Sequence, residues 1–201
     1  MQIKWDDRKK GDVGNDCLVS VDGTDFRIQH CGRRFYSFKF NASALRYEVA
    51  LCILTGELVW INGPFEPGIY NDIAIFRSAI MGELEEGERV EADDGYIGES
   101  PRYVKCPKSI AQRADTEVMQ TMVRRRHETV NRRFKQFGVL KQKYRHDLRD
   151  HGDVFRAVAV VTQLSIQNGE PLFDVDYEDP YLNDNYYPEP TDNSNSETES
   201  L

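Results

Sequence analysis

Apolar and polar residues alternate along the front half of the chain with the period of strands, then recur at helical spacing in the back half. The run Cys17-Leu18-Val19-Ser20-Val21, continuing to residue 28 across Gly23, predicts a first strand. Leu45, Tyr47, Val49, Leu51 and Ile53 alternate with their neighbours and predict a second strand over 45–54. Thr55-Gly56 turns the chain into a third, from Glu57 to Ile61, so the three read as an antiparallel meander. Gly63-Pro64 and Pro67-Gly68 break the pattern, and Asn71 or Asp72 is placed to cap a helix. That helix carries an apolar stripe of Ile73, Ile75, Phe76, Ala79, Ile80 and Leu84, and Gly87 stops it. A fourth strand runs up to Asp93, and Tyr103 to Pro107 predicts a short fifth. A long helix follows over 114–136, with Met119, Met122, Val123, Val130, Phe134 and Phe137 on one side. A last helix covers 151–167, with Val154, Phe155, Val158, Ala159, Val161, Leu164 and Ile166 as its apolar set. The element order β-β-β-α-β, then helices, is that of an RNase H-like α/β sheet.

Length and composition divide the 201 residues into one domain and a tail. Residues 1–16 read as a polar lead-in, 17–168 as the folded domain and 169–201 as an acidic tail, expected to be disordered. The formal net charge of −8 argues against a nucleic-acid binder only as an average, because the charge is segregated. From Arg102 to Arg156 there are 15 Lys/Arg against 6 Asp/Glu, whereas Glu170 to Leu201 holds 10 Asp/Glu and no Lys/Arg. A basic block of this kind is either a polyphosphate-facing surface or a solvated helix face laced with ion pairs. None of Cys17, Cys31, Cys52 and Cys106 forms a C-x-x-C pair, so neither zinc nor a redox motif is indicated. Three of them lie in strand-like runs and are expected to be buried. No secretory signal or long apolar stretch is present, which predicts a soluble intracellular protein without a membrane partner.

Three acids stand where chemistry is expected. Asp22 and Asp93 end strands, and Glu128 lies within the long helix, 35 positions after Asp93. Two strand-end aspartates and a helical glutamate can meet on a divalent cation, the arrangement that serves in-line displacement at phosphorus. Each also has an ordinary explanation. Asp22 precedes Gly23 and Asp93 precedes Asp94-Gly95, both turn signals, while Glu128 has Arg124 at i−4 and Arg132 at i+4 for helical ion pairs. His127 points about 100° away from Glu128 and reads as structural or solvent-facing. Trp5 and Trp60 read as packing residues.

Four motifs in order carry a resemblance. They are Val21-Asp22-Gly23-Thr24-Asp25; Gly63-Pro64 with Asn71 to Arg77; Ala92-Asp93-Asp94-Gly95-Tyr96; and Arg126 to Lys135, with Phe155 to Thr162 closing the set. Over residues 17–167 the chain resembles the nuclease domain of PIF/Harbinger-type DDE transposases, within the DDE superfamily of endonucleases. The resemblance implies a metal-dependent DNA endonuclease or transposase core, with Asp22, Asp93 and Glu128 as catalytic acids holding one or two Mg²⁺ or Mn²⁺ ions. It implies DNA as partner, held by Arg124, Arg125, Arg132 and Lys135, and a nuclear location. It also allows a homo-oligomer. Asp72 matches a recurrent family position and is read as a helix cap beside the site rather than as a ligand. Family members usually carry an N-terminal helix-turn-helix region, and only about 16 residues precede the first strand here. Recognition of DNA ends would then fall to a separate DNA-binding protein. The other outcome of the same ancestry is a catalytically inactive remnant that binds DNA or protein.

Overall fold

The computed structural model describes residues 3–11, 17–109 and 113–172. Its centre is a mixed sheet built around β1 (Cys17–Arg27). On one side of β1 lies β3 (Ala42–Cys52), antiparallel to it, with β4 (Leu58–Phe65) antiparallel beyond β3. The two-residue β2 (Tyr36–Ser37) pairs with the start of β3. On the other side, β5 (Arg89–Glu91) runs parallel to β1, and β6 (Val104–Lys105) parallel to β5. The predicted meander is therefore present, with strand bounds displaced by a few residues. Helices α1 (Asp72–Ser78), α2 (Arg113–Phe134), α3 (Gly138–Lys141) and α4 (Leu148–Gln167) accompany the sheet. No helix among the described residues is long and apolar enough to cross a membrane.

Alternation along β1 sorts its side chains between two cores. Phe26 and Ile28 join Tyr47, Val130, Phe134 and Phe155 under α2 and α4. Val19 and Val21 join Phe76, Ile80, Val90 and Tyr96 on the α1 side. The first core is aromatic: Tyr47 and Phe155 stack at 3.9 Å between ring centroids, and the Tyr47 hydroxyl lies 2.6 Å from His151 Nδ1. Burial holds His151 at a pKa of about 4, so this ring is neutral and packs as an aromatic residue. As expected, Cys17, Cys52 and Cys106 are buried.

Several predicted elements are corrected. The helix after Asn71 is shorter than its apolar stripe: α1 ends at Ser78, and Ile80–Gly82 continues as a 3₁₀ turn that still buries Ile80. Asn71, not Asp72, is the cap, accepting from the Ala74 N–H at 3.0 Å. In α4, Val161 and Leu164 face outward while His151, Thr162 and Gln163 take buried positions. Gln163 is buried because its Oε1 accepts the Leu58 N–H at 2.7 Å. The Met119 side chain lies outside what is described; Val123, Val130 and Phe134 are buried as the α2 stripe predicts.

The lead-in is not loose where it is described. Trp5–Gly11 forms a 3₁₀ helix, and Arg8 is buried in a fork with Glu88 at 2.7 and 3.0 Å. Trp5 packs edge-on against Trp60 at 5.7 Å, as packing residues do. At the other end, Leu172 is buried in the aromatic core and Arg133 binds Glu170, so the tail departs later than the composition suggested. From residue 173 onward the predicted tail lies outside the described residues.

Candidate functional site

Parallel pairing of β1 and β5 decides where the acids go. Ser20 is opposite Glu91, so Asp22 and Asp93 each stand two residues further along, at the same end of two neighbouring strands. β5 has ended there, which opens the sheet beside Asp22. Both aspartates also do the turn work that their following glycines suggested. Asp22 Oδ1 accepts the Gly23 N–H at 2.8 Å, and Asp93 Oδ1 accepts the Gly95 N–H at 2.8 Å. Asp93 is exposed and Asp22 half-buried.

A third carboxylate closes on the same strand. Asp72, the first residue of α1, lies against Gly23 so tightly that a Cβ there would fall 1.9 Å from Asp72 Oδ1. A side chain at position 23 would have to displace Asp72, which explains the glycine after Asp22 better than a turn does. Arg46 Nη1 lies 3.3 Å from Asp72 Oδ1, yet this buried oxygen has no hydrogen-bond partner among the described residues. Arg46 is itself committed elsewhere: Nε and Nη2 grip Asp25 at 2.7 and 3.0 Å, and Ser37 Oγ adds a third bond to Asp25 at 2.5 Å.

The electrostatics follow from this crowding. Burial pushes the Asp22 carboxyl up to about 7; Lys39 works against the shift, and Asp93 and then Asp72 add to it. Asp72 is also raised, chiefly by burial, with Arg46 opposing and Asp25 and Asp93 reinforcing. On the α1 side of the sheet, the face of Gly23 and Asp72, Glu48 pairs directly with Gly23 across β1 and β3, and burial lifts its pKa to about 7. Trp60 Nε1 donates to Glu48 Oε2 at 3.0 Å, while Oε1 is buried without a hydrogen-bond partner among the described residues. The Tyr96 hydroxyl, fully enclosed and also without a partner among the described residues, is raised by burial and by Asp72, Asp22, Glu48 and Asp93. Asp93 and Asp72 thus act on Asp22, Asp72 acts on Glu48, and all four carboxyl groups act on the Tyr96 phenol.

Glu128 lies on α2, next to the residue that packs on β1. It is exposed on α2, and the charges that move Asp22 most are Lys39, Asp93 and Asp72. Its neighbour His127 is the residue that faces the sheet, buried with Nε2 3.1 Å from the hydroxyl of Ser20, two positions before Asp22. Burial and then Arg126 lower His127 to about 3, so it is neutral and structural. Helix α2 therefore packs on the strand that bears Asp22, with Glu128 about 100° around from the contact. Among the described residues no three His, Cys, Asp or Glu side chains are grouped to hold a metal ion.

Of the predicted cations, Arg124, Arg125 and Arg132 are exposed on α2. Lys135 is half-buried, 5.4 Å from the centre of the Phe40 ring, and burial, Lys39 and Arg27 lower its pKa. Arg126 is buried in an ion pair with Glu91, and Arg133 is turned to Glu170 at 3.3 Å.

Sequence reasoning did not single out Glu48, Arg46, Lys39 or Tyr96 as site residues. A signal for two of them existed. Alternation in β3 puts Arg46 and Glu48 on one face, and two charged residues on a face that is otherwise apolar need partners. No family model, curated protein or solved structure matches the chain.

Proposed function

We propose that this chain is an RNase H-like nuclease domain of the DDE type, a metal-dependent endonuclease or transposase core acting on DNA phosphodiester bonds. One observation carries the reading: Asp22 and Asp93 stand at the shared end of β1 and β5, and Asp72, from a third segment, acts on Asp22 from beside Gly23. The strand sequence supports it as well. With the short β2 set aside, the order β4-β3-β1-β5-β6, antiparallel on one side of β1 and parallel on the other, is the RNase H order.

The donor set fits a hard divalent cation. It consists of carboxylate oxygens, and the buried Asp72 Oδ1 has no hydrogen bond to give up. Asp22 and Asp93 would hold Mg²⁺ or Mn²⁺, with Asp72 beside them. Such an ion supplies a more acidic attacking water or 3′-hydroxyl and charge neutralisation on the leaving oxygen. The chain's own groups do the rest. Burial raises the pKa of Asp22 most, and Asp93 and Asp72 add to it; a bound cation would offset both by favouring the ionised carboxylate. Lys39 and the exposed arginines of α2 offer positive charge to the phosphates on either side. The substrate would locate the protein where DNA is, in the nucleus of a eukaryotic cell.

Glu128 favours a second reading. With its carboxylate in solvent and outside the leading charges on Asp22, the chain would be an inactive transposase-derived module that binds DNA or protein. A plasmid-nicking assay separates the two. The nuclease reading expects nicking by the wild type only with Mg²⁺ or Mn²⁺, lost in Asp22→Asn, Asp93→Asn and Glu128→Gln. Binding without nicking by the wild type supports the remnant. Loss in the two aspartate variants alone would remove Glu128 from the site and keep the rest.

A further inference from the structure

The hairpin that joins β2 to β3 carries an outward aromatic ring that the nuclease reading does not use. Phe38 is 87% exposed, more than any other large apolar side chain among the described residues. Water-facing exposure of a whole phenyl ring is unfavourable by roughly 25 cal/mol per Å² of apolar area. The ring is held out there rather than left to collapse. Tyr36 meets it edge-on, centroids 5.1 Å apart at 88°, and the Tyr36 hydroxyl donates to Asn41 Oδ1 across the turn. Asn41 takes φ 51°, a left-handed conformation that asparagine tolerates better than most residues. At its base, Ser37 Oγ is bonded to the buried Asp25 at 2.5 Å, which fixes the hairpin to β1 three residues beyond Asp22.

Positive charge surrounds the same hairpin. Phe40 has the Arg27 guanidinium 5.1 Å and the Lys135 ammonium 5.4 Å from its ring centre, so cations from β1 and α2 converge on it. Lys39, between the two phenylalanines, acts on Asp22 and Asp72 on one side and on Lys135 on the other. None of Arg27, Lys39 and Lys135 makes an ion pair among the described residues, and Arg27 and Lys39 repel Lys135. Three cations kept together without a direct ion pair among the described residues, next to an outward aromatic ring, make a surface for an anionic ligand with flat, stackable groups. A nucleic-acid strand with exposed bases has both features, phosphates for the cations and a π-face for the ring. A paired duplex offers the phosphates only.

We infer that the Phe38–Asn41 hairpin is a single-strand platform: Phe38 stacks on an unpaired base while Arg27, Lys39 and Lys135 hold the flanking phosphates beside the carboxylate cluster. The inference rests on the DNA reading above and narrows its substrate to DNA with a melted, flapped or flipped nucleotide at the site. Such a nucleotide is what an enzyme acting at a strand end or distorted site meets. The Ser37–Asp25 bond ties the platform to β1 three positions beyond Asp22, and Lys39 is close enough to act on Asp22.

The test is binding by the full chain with divalent ions chelated, so that cleavage plays no part. Two fluorescent DNAs are compared by anisotropy, a fully paired duplex and the same duplex carrying one unpaired 2-aminopurine. The wild type should prefer the second and quench its 2-aminopurine. Phe38→Ala should lose roughly tenfold in affinity for it, with the quenching, and leave the paired duplex unchanged; Phe38→Trp should restore both. Lys39→Gln and Arg27→Gln should weaken both DNAs and each reduce the salt slope by about one. Equal binding of the unpaired DNA by wild type and Phe38→Ala overturns the platform and leaves the nuclease reading standing. No binding of either DNA by the wild type overturns both. Unchanged DNA affinity in Phe38→Ala, with a change in sedimentation of the protein, overturns the platform in favour of a protein contact.

Discussion

Asp22 and Asp25 are three positions apart on one strand, and they are treated in opposite ways. Asp25 is fully buried and fully matched, with a bidentate guanidinium from Arg46 and a hydroxyl from Ser37. Asp22 keeps one backbone hydrogen bond, from Gly23, and its nearest charged company includes two more carboxylates. The first arrangement satisfies a buried ion and ties β1 to β3 and to the hairpin. The second concentrates like charge that the fold does nothing to neutralise beyond Lys39. The two acids differ in their partners: Asp25 is matched by a cation and a hydroxyl, Asp22 is not, which is the pattern that separates a structural acid from a candidate site acid.

That contrast makes its strongest prediction at Asp25. Asp25→Ala leaves the partly buried Arg46 without its bidentate partner, with Asp72 alone nearby, and should cost about 3 kcal/mol or more. For a chain of this length that is roughly 10 °C or more in Tm by differential scanning calorimetry. A loss as small as that of a surface residue would mean the pair does not anchor the sheet. Gly23→Ala should cost less, about 1–3 kcal/mol, because Asp72 must swing away from the new methyl group. Its informative consequence is elsewhere: Asp72 leaves the cluster, and any stabilisation by Mn²⁺ should fall with it. Unchanged Mn²⁺ stabilisation in Gly23→Ala would take Asp72 out of the site.

Asp22→Asn should behave in the other direction. The Asp22 pKa rises from 3.8 to about 7 on folding, so the folded state holds the proton more tightly than the unfolded one. Its contribution favours the fold fully below about pH 4 and is lost as pH rises to about 7. The asparagine variant has no such loss. Without divalent ions its Tm should therefore gain on the wild type as pH goes from 4 to 7.5, with Glu48 contributing the same trend to both proteins. A difference independent of pH would mean that Asp22 titrates normally. The smallest effect is expected at Asn71, where Asn71→Ala removes the cap of α1 for about 1 kcal/mol and should leave the Asp22 titration unchanged.

Much of this was legible in the pattern of residues. Alternation located β1, β3 and β4, and the stripe of Val123, Val130 and Phe134 located α2, because these elements bury one face each. The two strand-end aspartates could be paired from the strand order. What was not legible depends on contacts between distant segments. The motif Asn71-Asp72 does not say which residue caps; that was decided by Gly23, which leaves room for the Asp72 side chain. Nor does the α2 sequence say which of His127 and Glu128 faces the sheet, since both are polar; the Ser20 hydroxyl on β1 selected His127. Lys39 and Phe38 lie in a turn where periodicity carries no information, so their nearness to Asp22 and their exposure needed the hairpin's registration on Asp25.

The central claim is that the carboxylates at the end of β1 and β5 form a divalent-cation site. Electron paramagnetic resonance of Mn²⁺ titrated into the full chain reads this directly, through the fall in free-ion signal. The account predicts saturable binding of one or two ions by the wild type, lost in Asp22→Asn and Asp93→Asn and retained in Asp25→Asn wherever that variant is folded. Binding that is absent from the wild type, or that survives both aspartate substitutions, would contradict it.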